Sequence, residues 1–116
     1  MPQMTGAQAI VSSLVRHGVD TIFGLPGGQL YYLYDALYHQ RDDLRVITTR
    51  HEQGAAYMAL GYAHSTGRVG VYDVVPGPGV LNTTAALCTA WACNAPVLCL
   101  TGQIPTVGIG SGAGYL

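Results

Sequence analysis

The sequence predicts an α/β fold in which helices cover both faces of a doubly wound parallel sheet. Three observations lead to this class. Short apolar runs alternate with longer segments whose apolar residues recur at helical spacing. Each helix–strand unit occupies about 25 to 30 residues. Glycine and proline are concentrated where the apolar runs end. Strands that alternate with helices are joined by right-handed crossovers, so the sheet is expected to be parallel.

The first four elements are predicted from apolar spacing and from the residues that end them. A helix at 6–17 has apolar residues three and four positions apart, with Thr5 as its N-cap and Gly18 as its C-terminal stop. A short apolar run then ends in a Pro-Gly-Gly loop, which is typical of a strand. The elements predicted after the first helix are a strand at 21–24, a tyrosine-rich helix at 29–39 and a strand at 45–49.

The second half of the chain contains two further helix–strand pairs. The predicted helix at 51–65 is rich in glycine and alanine. A glycine inside a helix costs about 1 kcal/mol relative to alanine, so another backbone is expected to approach closely there. No charged residue follows Asp73, and the elements after it are expected to be deeply buried. They are a strand at 69–75, a turn at 76–79, a helix at 80–93 and a strand at 96–100, followed by a tail at 101–116 without periodicity.

Charge and composition exclude several kinds of partner. Five basic residues against six acidic ones leave no basic patch for nucleic acid or for an anionic membrane. The apolar stretch after Asp73 is interrupted by proline and asparagine, unlike a membrane span of about 20 apolar residues. No segment resembles a targeting signal, so we expect a cytoplasmic protein. Only 9% of the residues are charged, which favours a surface partly covered by a partner chain or by further sequence over a merely apolar core.

The cysteines predict no disulfide, the histidines predict no metal site, and the tyrosines are assigned to packing. The three cysteines show no CxxC spacing and are expected to be reduced and buried. Cys88 and Cys93 are expected only to fill space on an apolar helix. The four histidines are scattered, so no metal site can be drawn from them. The tyrosines of the second helix are interpreted as packing and interface residues; they are Tyr31, Tyr32, Tyr34 and Tyr38.

Ligands of an open parallel sheet bind at the carboxyl ends of its strands. The loops expected there are 25–29, 49–53, 75–82 and 101–105, and three of them are rich in glycine and proline, which allows a close approach to a ligand. The other contains Glu52, the only glutamate in the chain. By position alone, Glu52 either favours the dipole of its helix by about 0.3–1 kcal/mol or is a carboxyl in a dry cleft. In a dry cleft, desolvation would raise its pKa and make it a proton donor near neutrality.

Five motifs favour the second interpretation. They are FGLPGG at 23–28, RHEQGAA at 50–56, GYA at 61–63, GPGVLN at 77–82 and TGQIP at 101–105. In order and spacing they resemble the pyrimidine-binding, N-terminal domain of the acetolactate synthase-like group of thiamine diphosphate enzymes. The resemblance covers nearly the whole chain and implies a thiamine diphosphate-binding fold. It also implies an enzyme that decarboxylates or carboligates 2-oxo acids.

The resemblance assigns roles to individual residues. Glu52 matches the glutamate that hydrogen-bonds a ring nitrogen of the aminopyrimidine and thereby promotes deprotonation of the thiazolium carbon. The other matches are Gly27 and Gly28 near the reactive end of the cofactor, Pro78, Gly79 and Asn82 beside the pyrimidine, and Gln103 on the substrate side of the cleft. A cofactor that carries the difficult chemistry needs mainly positioning and electrostatics from its protein.

The resemblance also implies parts that this chain does not supply. Residues 1–116 are expected to be the pyrimidine-binding domain, truncated at its C-terminal end, with the central and diphosphate-binding domains absent. Mg²⁺ and the diphosphate are bound by that second domain through a Gly-Asp-Gly motif, so the chain alone is expected to be inactive. A homodimer or homotetramer with the cofactor between subunits is implied, and whether FAD is bound is left open.

Two departures put acetolactate formation itself in doubt. Val75 and Pro76 replace small hydroxyl residues, and Tyr115, in the segment IGSGAGY at 109–115, stands where a catalytic glutamine is expected. Tyr115 is therefore a candidate substrate-side residue that selects another acceptor or the release of an aldehyde, or else it only covers the surface. Gly28 stands where pyruvate decarboxylases carry an acidic residue, which disfavours that subgroup.

Two alternatives from other classes stay open. A Rossmann-type nucleotide-binding domain would need G-x-G-x-x-G in the first strand–helix turn, and here the Gly-Pro-Gly sequence lies in the third turn and is not completed. A non-catalytic or regulatory domain of the thiamine-enzyme type is the other alternative, since half of a site cannot turn over.

Overall fold

A computed structural model of the chain, which describes residues 3–112, contains one four-stranded sheet in the order β2-β1-β3-β4 with every neighbouring pair parallel. The elements are α1 (Gly6–Arg16), β1 (Thr21–Gly24), α2 (Tyr31–His39), β2 (Arg45–Thr48), α3 (Glu52–Thr66), β3 (Gly70–Val74), α4 (Pro78–Leu81), α5 (Thr84–Ala92), β4 (Val97–Thr101) and a 3₁₀ turn at Thr106–Gly108. The predicted fold class is confirmed.

Helix ends follow the local sequence. Thr5 and Gln8 form a reciprocal capping box at the start of α1, and Gly18 takes a positive φ of 76° just after it. At the start of α3, the side chain of His51 accepts a hydrogen bond from the backbone N–H of Gln53. Gly67 ends α3 in the left-handed conformation. The predicted N-cap and C-terminal stop of the first helix are both confirmed.

Alternate side chains of the strands face two apolar layers, because successive residues of a strand point to opposite faces. On one face, α1 and α2 pack against Ile22 and Val71. On the other, α3 and α5 pack against Phe23 and Tyr72. The lack of a side chain at Gly70 of β3 allows this approach, since an added Cβ there would collide with the backbone of Ala59 in α3. Gly61, by contrast, has no neighbour within 4 Å of an added Cβ among residues 3–112, so the close approach expected there is not made by the described part of the chain.

The single helix predicted at 80–93 is wrong: the structure divides it into α4 and α5. The break falls next to Thr83, which is fully buried. Its hydroxyl donates to the carbonyl of Val80 at 2.7 Å and lies 2.8 Å from the phenol oxygen of Tyr72. A side chain that bonds the preceding turn competes with the regular backbone ladder, and apolar spacing alone does not reveal it.

The expectation that the loop, helix and strand after Asp73 are deeply buried is also wrong. β3 is buried throughout, but Trp91 of α5 is 87% exposed and Leu98 of β4 is 40% exposed. The buried residues of α5 are Ala86 and Ala90, one turn apart, which leaves its other faces exposed. Cys88 and Cys93 are accordingly exposed, and Cys99 is half-buried, contrary to the prediction of buried thiols.

In the described part of the chain, none of the helices has the length and apolarity that crossing a bilayer requires.

The tail predicted to lack periodicity contains the short 3₁₀ turn at Thr106–Gly108.

Candidate cofactor site

The strand order creates a cleft at one defined place. β1 leads to β2 on one side and β3 leads to β4 on the other, so the connections diverge between β1 and β3. In open parallel sheets, ligands bind at such a switch point, beyond the carboxyl ends of the strands. The loop after β1 and the loop after β3 border the cleft directly. The α3 helix, which follows β2, brings Glu52 to the same end of the sheet.

Glu52 is the first residue of α3, and its side chain is 15% exposed. The amide Nδ2 of Asn82 donates to its Oε2 at 3.1 Å. This hydrogen bond joins the segment after β2 to the segment after β3 across the end of β1. Two residues assigned to the site by resemblance, 30 positions apart in sequence, are therefore in contact.

The two glycine-containing loops meet on the side chain of Val75. A Cβ atom added at Gly27 would lie 2.6 Å from Cγ1 of Val75, and one added at Gly79 would lie 2.5 Å from Cγ2. The Cβ at Gly79 would also lie 3.6 Å from Oε1 of Glu52. Both glycines are therefore required by the packing around Val75. Gly79 leaves the space beside the Glu52 carboxylate open.

The expected rise in the pKa of Glu52 is not found in the unliganded chain. The pKa lies below its ordinary value, first because the carboxylate accepts a hydrogen bond from its own backbone N–H. Partial burial acts in the opposite direction, and the Asn82 amide lowers the pKa further. Hydrogen bonds to the charged form outweigh desolvation here, so Glu52 is an ionised carboxylate near neutral pH.

The remaining predicted site residues are Pro78, Gly28, Gln103 and Tyr115. Pro78 begins α4 and is exposed, while Gly28 is half-buried, with the hydroxyl of Tyr31 3.9 Å from an added Cβ. Gln103 is exposed, and its Oε1 accepts from the backbone N–H of Ile104 at 2.8 Å. Its neighbour Gly102 packs against the backbone of Gln29, so the loops after β4 and β1 do converge. Tyr115 lies outside the described residues.

A buried polar pair below the cleft was not predicted. Asp73 is fully buried, and its Oδ1 accepts from the hydroxyl of Tyr34 at 2.7 Å, while its Oδ2 has no hydrogen-bond partner among the described residues. Burial raises the pKa of Asp73 to about 6, and the Tyr34 hydroxyl opposes this rise. An added Cβ at Gly24 would lie 2.5 Å from both the Tyr34 hydroxyl and Oδ2 of Asp73. A charged residue inside a strand that is otherwise apolar was the available signal.

Metal ligands are not assembled in this part of the molecule. Within residues 3–112, no cluster of three or more histidine, cysteine, aspartate or glutamate side chains could hold a metal ion. The residues present therefore do not fit a Mg²⁺ site. They do fit an uncharged heteroaromatic ring, since a partly buried carboxylate and an amide stand beside a cleft bordered by glycines.

A parallel sheet with a partly buried carboxylate beside its switch point is the architecture of a ligand-binding α/β domain. Residues 4–115 match the family described as thiamine pyrophosphate enzyme, N-terminal TPP binding domain, and the chain belongs to this family. The Rossmann-type alternative is thereby set aside.

Curated relatives agree with this family. The chain is 47% identical over 113 residues to an acetolactate synthase from Arthrospira platensis, covering 96% of this chain and 20% of that protein. It is 47% identical to one from Mycobacterium bovis, covering 97% of this chain and 18% of that protein. It is 46% identical to one from Mycobacterium avium, with coverage of 96% and 18%. The chain thus spans about a fifth of the length of these relatives.

Proposed function

We propose that this chain binds the aminopyrimidine of thiamine diphosphate in an enzyme that decarboxylates or carboligates 2-oxo acids, with Glu52 as the catalytic residue. The observation that carries the proposal is the contact between Glu52 and Asn82 at the β1/β3 switch point, in a domain of the thiamine pyrophosphate family. When bound, the cofactor supplies the nucleophilic carbon that attacks the 2-oxo group and accepts the electron pair left by carbon dioxide. This chemistry is redox-neutral overall and does not require FAD.

Glu52 holds a proton at a ring nitrogen of the pyrimidine in this proposal. Its carboxylate is ionised in the free chain, and Asn82 holds Oε2 in one position. A ring placed over the cleft would displace water from the carboxylate, which favours the protonated form and strengthens a short hydrogen bond to the ring. Gly27, Gly28 and Gly79 give the ring room, and Pro78 begins the helix beside it.

The diphosphate and Mg²⁺ are proposed to be bound by a separate diphosphate-binding domain. The proposal takes this division from the family resemblance, and no cluster of metal ligands is assembled within residues 3–112. On this proposal the chain by itself binds thiamine diphosphate negligibly and turns nothing over.

We propose assembly into a homodimer or homotetramer because large apolar side chains are exposed on α3, α4 and α5. Leu81 and Trp91 project from α4 and α5, and Tyr57 and Met58 project from α3. Exposed apolar patches mark interaction sites in soluble proteins, and these four large apolar side chains are the surface from which the assembly is proposed. A second subunit that covers it would bring its own diphosphate-binding domain to the cleft. Tyr115, as a substrate-side residue, stays a prediction from the sequence.

The test is Glu52→Gln in the full-length enzyme. Glutamine keeps a hydrogen-bonding group of similar size but cannot hold the proton, so exchange of the thiazolium proton for deuterium should slow by about 10²–10⁴. Cofactor affinity should fall much less. Exchange is followed by NMR after acid quench, which separates this step from the substrate chemistry. The matched control is Asp42→Asn, an exposed carboxylate outside the cleft. Wild-type exchange in Glu52→Gln would remove Glu52 from the mechanism and favour the non-catalytic alternative.

A further inference from the structure

His51 caps α3 through its imidazole ring. Its Nδ1 accepts the backbone N–H of Gln53 at 3.1 Å. The side chains preferred at this position are serine, threonine, aspartate and asparagine, which accept through an oxygen. A histidine can accept only with a ring nitrogen that carries no proton, so the proton of the neutral ring lies on Nε2. The cap therefore selects one tautomer.

The same residue is held through its main chain. Its carbonyl accepts from the backbone N–H of Gly54 at 3.0 Å and from the hydroxyl of Thr49 at 3.0 Å. Thr49 also donates its backbone N–H to the carbonyl of Gly24 at the end of β1. The segment that leads from β2 into α3 is thus anchored both to the sheet and to the first turn of the helix.

Glu52 follows immediately and depends on this anchorage. It is the first helical residue, where the backbone N–H groups have no partner within the helix and the turn frays without a cap. Nδ1 of His51 lies 4.0 Å from Oε2 of Glu52, the oxygen that Asn82 contacts. The His51 side chain is 60% exposed, whereas that of Glu52 is 15% exposed. Burial in the core therefore does not explain the histidine.

We propose that His51 is a positioning residue: its neutral imidazole, protonated at Nε2, caps α3 and so holds the Glu52 carboxylate against Asn82. The inference rests on the proposed role of Glu52 and adds the group that orients it. His51 does not touch the reacting atoms in this scheme, so it is not itself a catalytic residue.

The first measurement needs no variant. In the unliganded full-length protein, ¹⁵N NMR at neutral pH should show Nδ1 of His51 as the unprotonated, hydrogen-bonded nitrogen and Nε2 as the protonated one. A proton on Nδ1 would overturn the inference. This readout does not depend on cofactor or turnover.

Two variants then distinguish the capping hydrogen bond from any other effect of the imidazole ring. His51→Ala removes the acceptor and should slow thiazolium exchange by about five- to tenfold at saturating cofactor, the loss expected from one cap. His51→Asn restores a strong cap and should stay within about twofold of wild type. Cofactor affinity should change less than the exchange rate. Wild-type exchange in His51→Ala, or exchange in His51→Asn as slow as in His51→Ala, would overturn the inference.

Glu52→Gln, measured in parallel, distinguishes the two proposals. If its exchange is slow while His51→Ala exchanges like wild type, only the positioning role fails. If Glu52→Gln itself exchanges like wild type, the proposed function fails first.

Discussion

The Nδ2 atom of Asn82 lies 3.1 Å from Oε2 of Glu52, and this contact spans the carboxyl end of β1, the strand between those that each residue follows. Neither residue belongs to a strand. Both stand at the carboxyl-end rim of the sheet, where Glu52 begins α3 and Asn82 ends α4. The parallel order of the sheet is what brings them together.

Replacing Asn82 should change the ionisation of Glu52. The Asn82 amide lowers the pKa of Glu52, so Asn82→Ala should raise that pKa. Asn82→Asp should raise it further, because a second carboxylate at the same distance repels the charged form. Carboxyl ¹³C shifts of Glu52 followed against pH measure this directly. Equal pKa values in all three proteins would show that the contact is not formed in solution.

Binding of thiamine diphosphate to the full-length enzyme should take up a proton at Glu52. The free carboxylate has a lowered pKa, and a ring that desolvates it and shares its proton raises the pKa in the complex. A group whose pKa rises on binding takes up a proton, so affinity should fall as pH increases above the free pKa. Calorimetry in two buffers of different ionisation enthalpy counts the protons. Glu52→Gln is the control, and identical uptake in both proteins would contradict the prediction.

Gly79→Ala and Gly27→Ala should each lower the free energy of unfolding. The new Cβ would lie 2.5 Å from the side chain of Val75 in the first variant and 2.6 Å from it in the second. Overpacking of this kind lowers the free energy of unfolding by about 1–3 kcal/mol. The control is Gly28→Ala, whose Cβ has its nearest neighbour at 3.9 Å and should be tolerated.

Combining Gly79→Ala or Gly27→Ala with Val75→Ala tests whether the side chain of Val75 causes the loss of stability. If Val75 is the obstacle, the double variant should lose about 0.5–3 kcal/mol less stability than the sum of the single variants. Denaturant unfolding supplies the four values of the cycle. Strict additivity would place the strain elsewhere.

Asp73→Asn should stabilise the protein at alkaline pH. Burial raises the pKa of Asp73 to about 6, above its unfolded value of about 3.9. Its contribution to stability is therefore fully present below about pH 4 and is lost as pH rises through about 6. At pH 8, Asp73→Asn should increase the free energy of unfolding by about 1–3 kcal/mol, and the gain should vanish near pH 4.

Unfolding curves at pH 4, 6 and 8 check this pH dependence. Asp42→Asn, at an exposed carboxylate, is the control variant. Tyr34→Phe removes the hydrogen bond from the phenol to the Asp73 carboxylate and should raise the pKa of Asp73 further. A gain in Asp73→Asn that is constant across pH would contradict the assignment.

Apolar spacing and glycine positions were sufficient to predict the strands and the parallel sheet, because both signals are local. The helix predicted at 80–93 was wrong for a reason that apolar spacing does not contain. The hydroxyl of Thr83 lies against Tyr72 of a neighbouring strand and bonds the turn before it. A periodicity argument contains no information about either contact.

The candidate site shows the same difference between local signals and contacts that join separate segments. The five motifs were sufficient to select Glu52, Gly79 and Asn82, since each is recognisable in its own short segment. Their mutual contact, the role of Val75 between the glycine loops and the cap from His51 depend on distances between segments. The pKa of Glu52 was predicted in the wrong direction because its sign depends on which donors face the carboxylate.

By itself, then, the sequence determined the class of fold, the loops at the carboxyl ends of the strands and the family to which the chain belongs. Only the tertiary structure decided the ionisation of Glu52 and the burial of Asp73 beside Tyr34. It also decided the exposure of the apolar faces of α4 and α5. The physical reason is that periodicity and turn chemistry are properties of neighbouring residues. Desolvation and hydrogen bonding depend instead on groups that the chain brings together from distant positions.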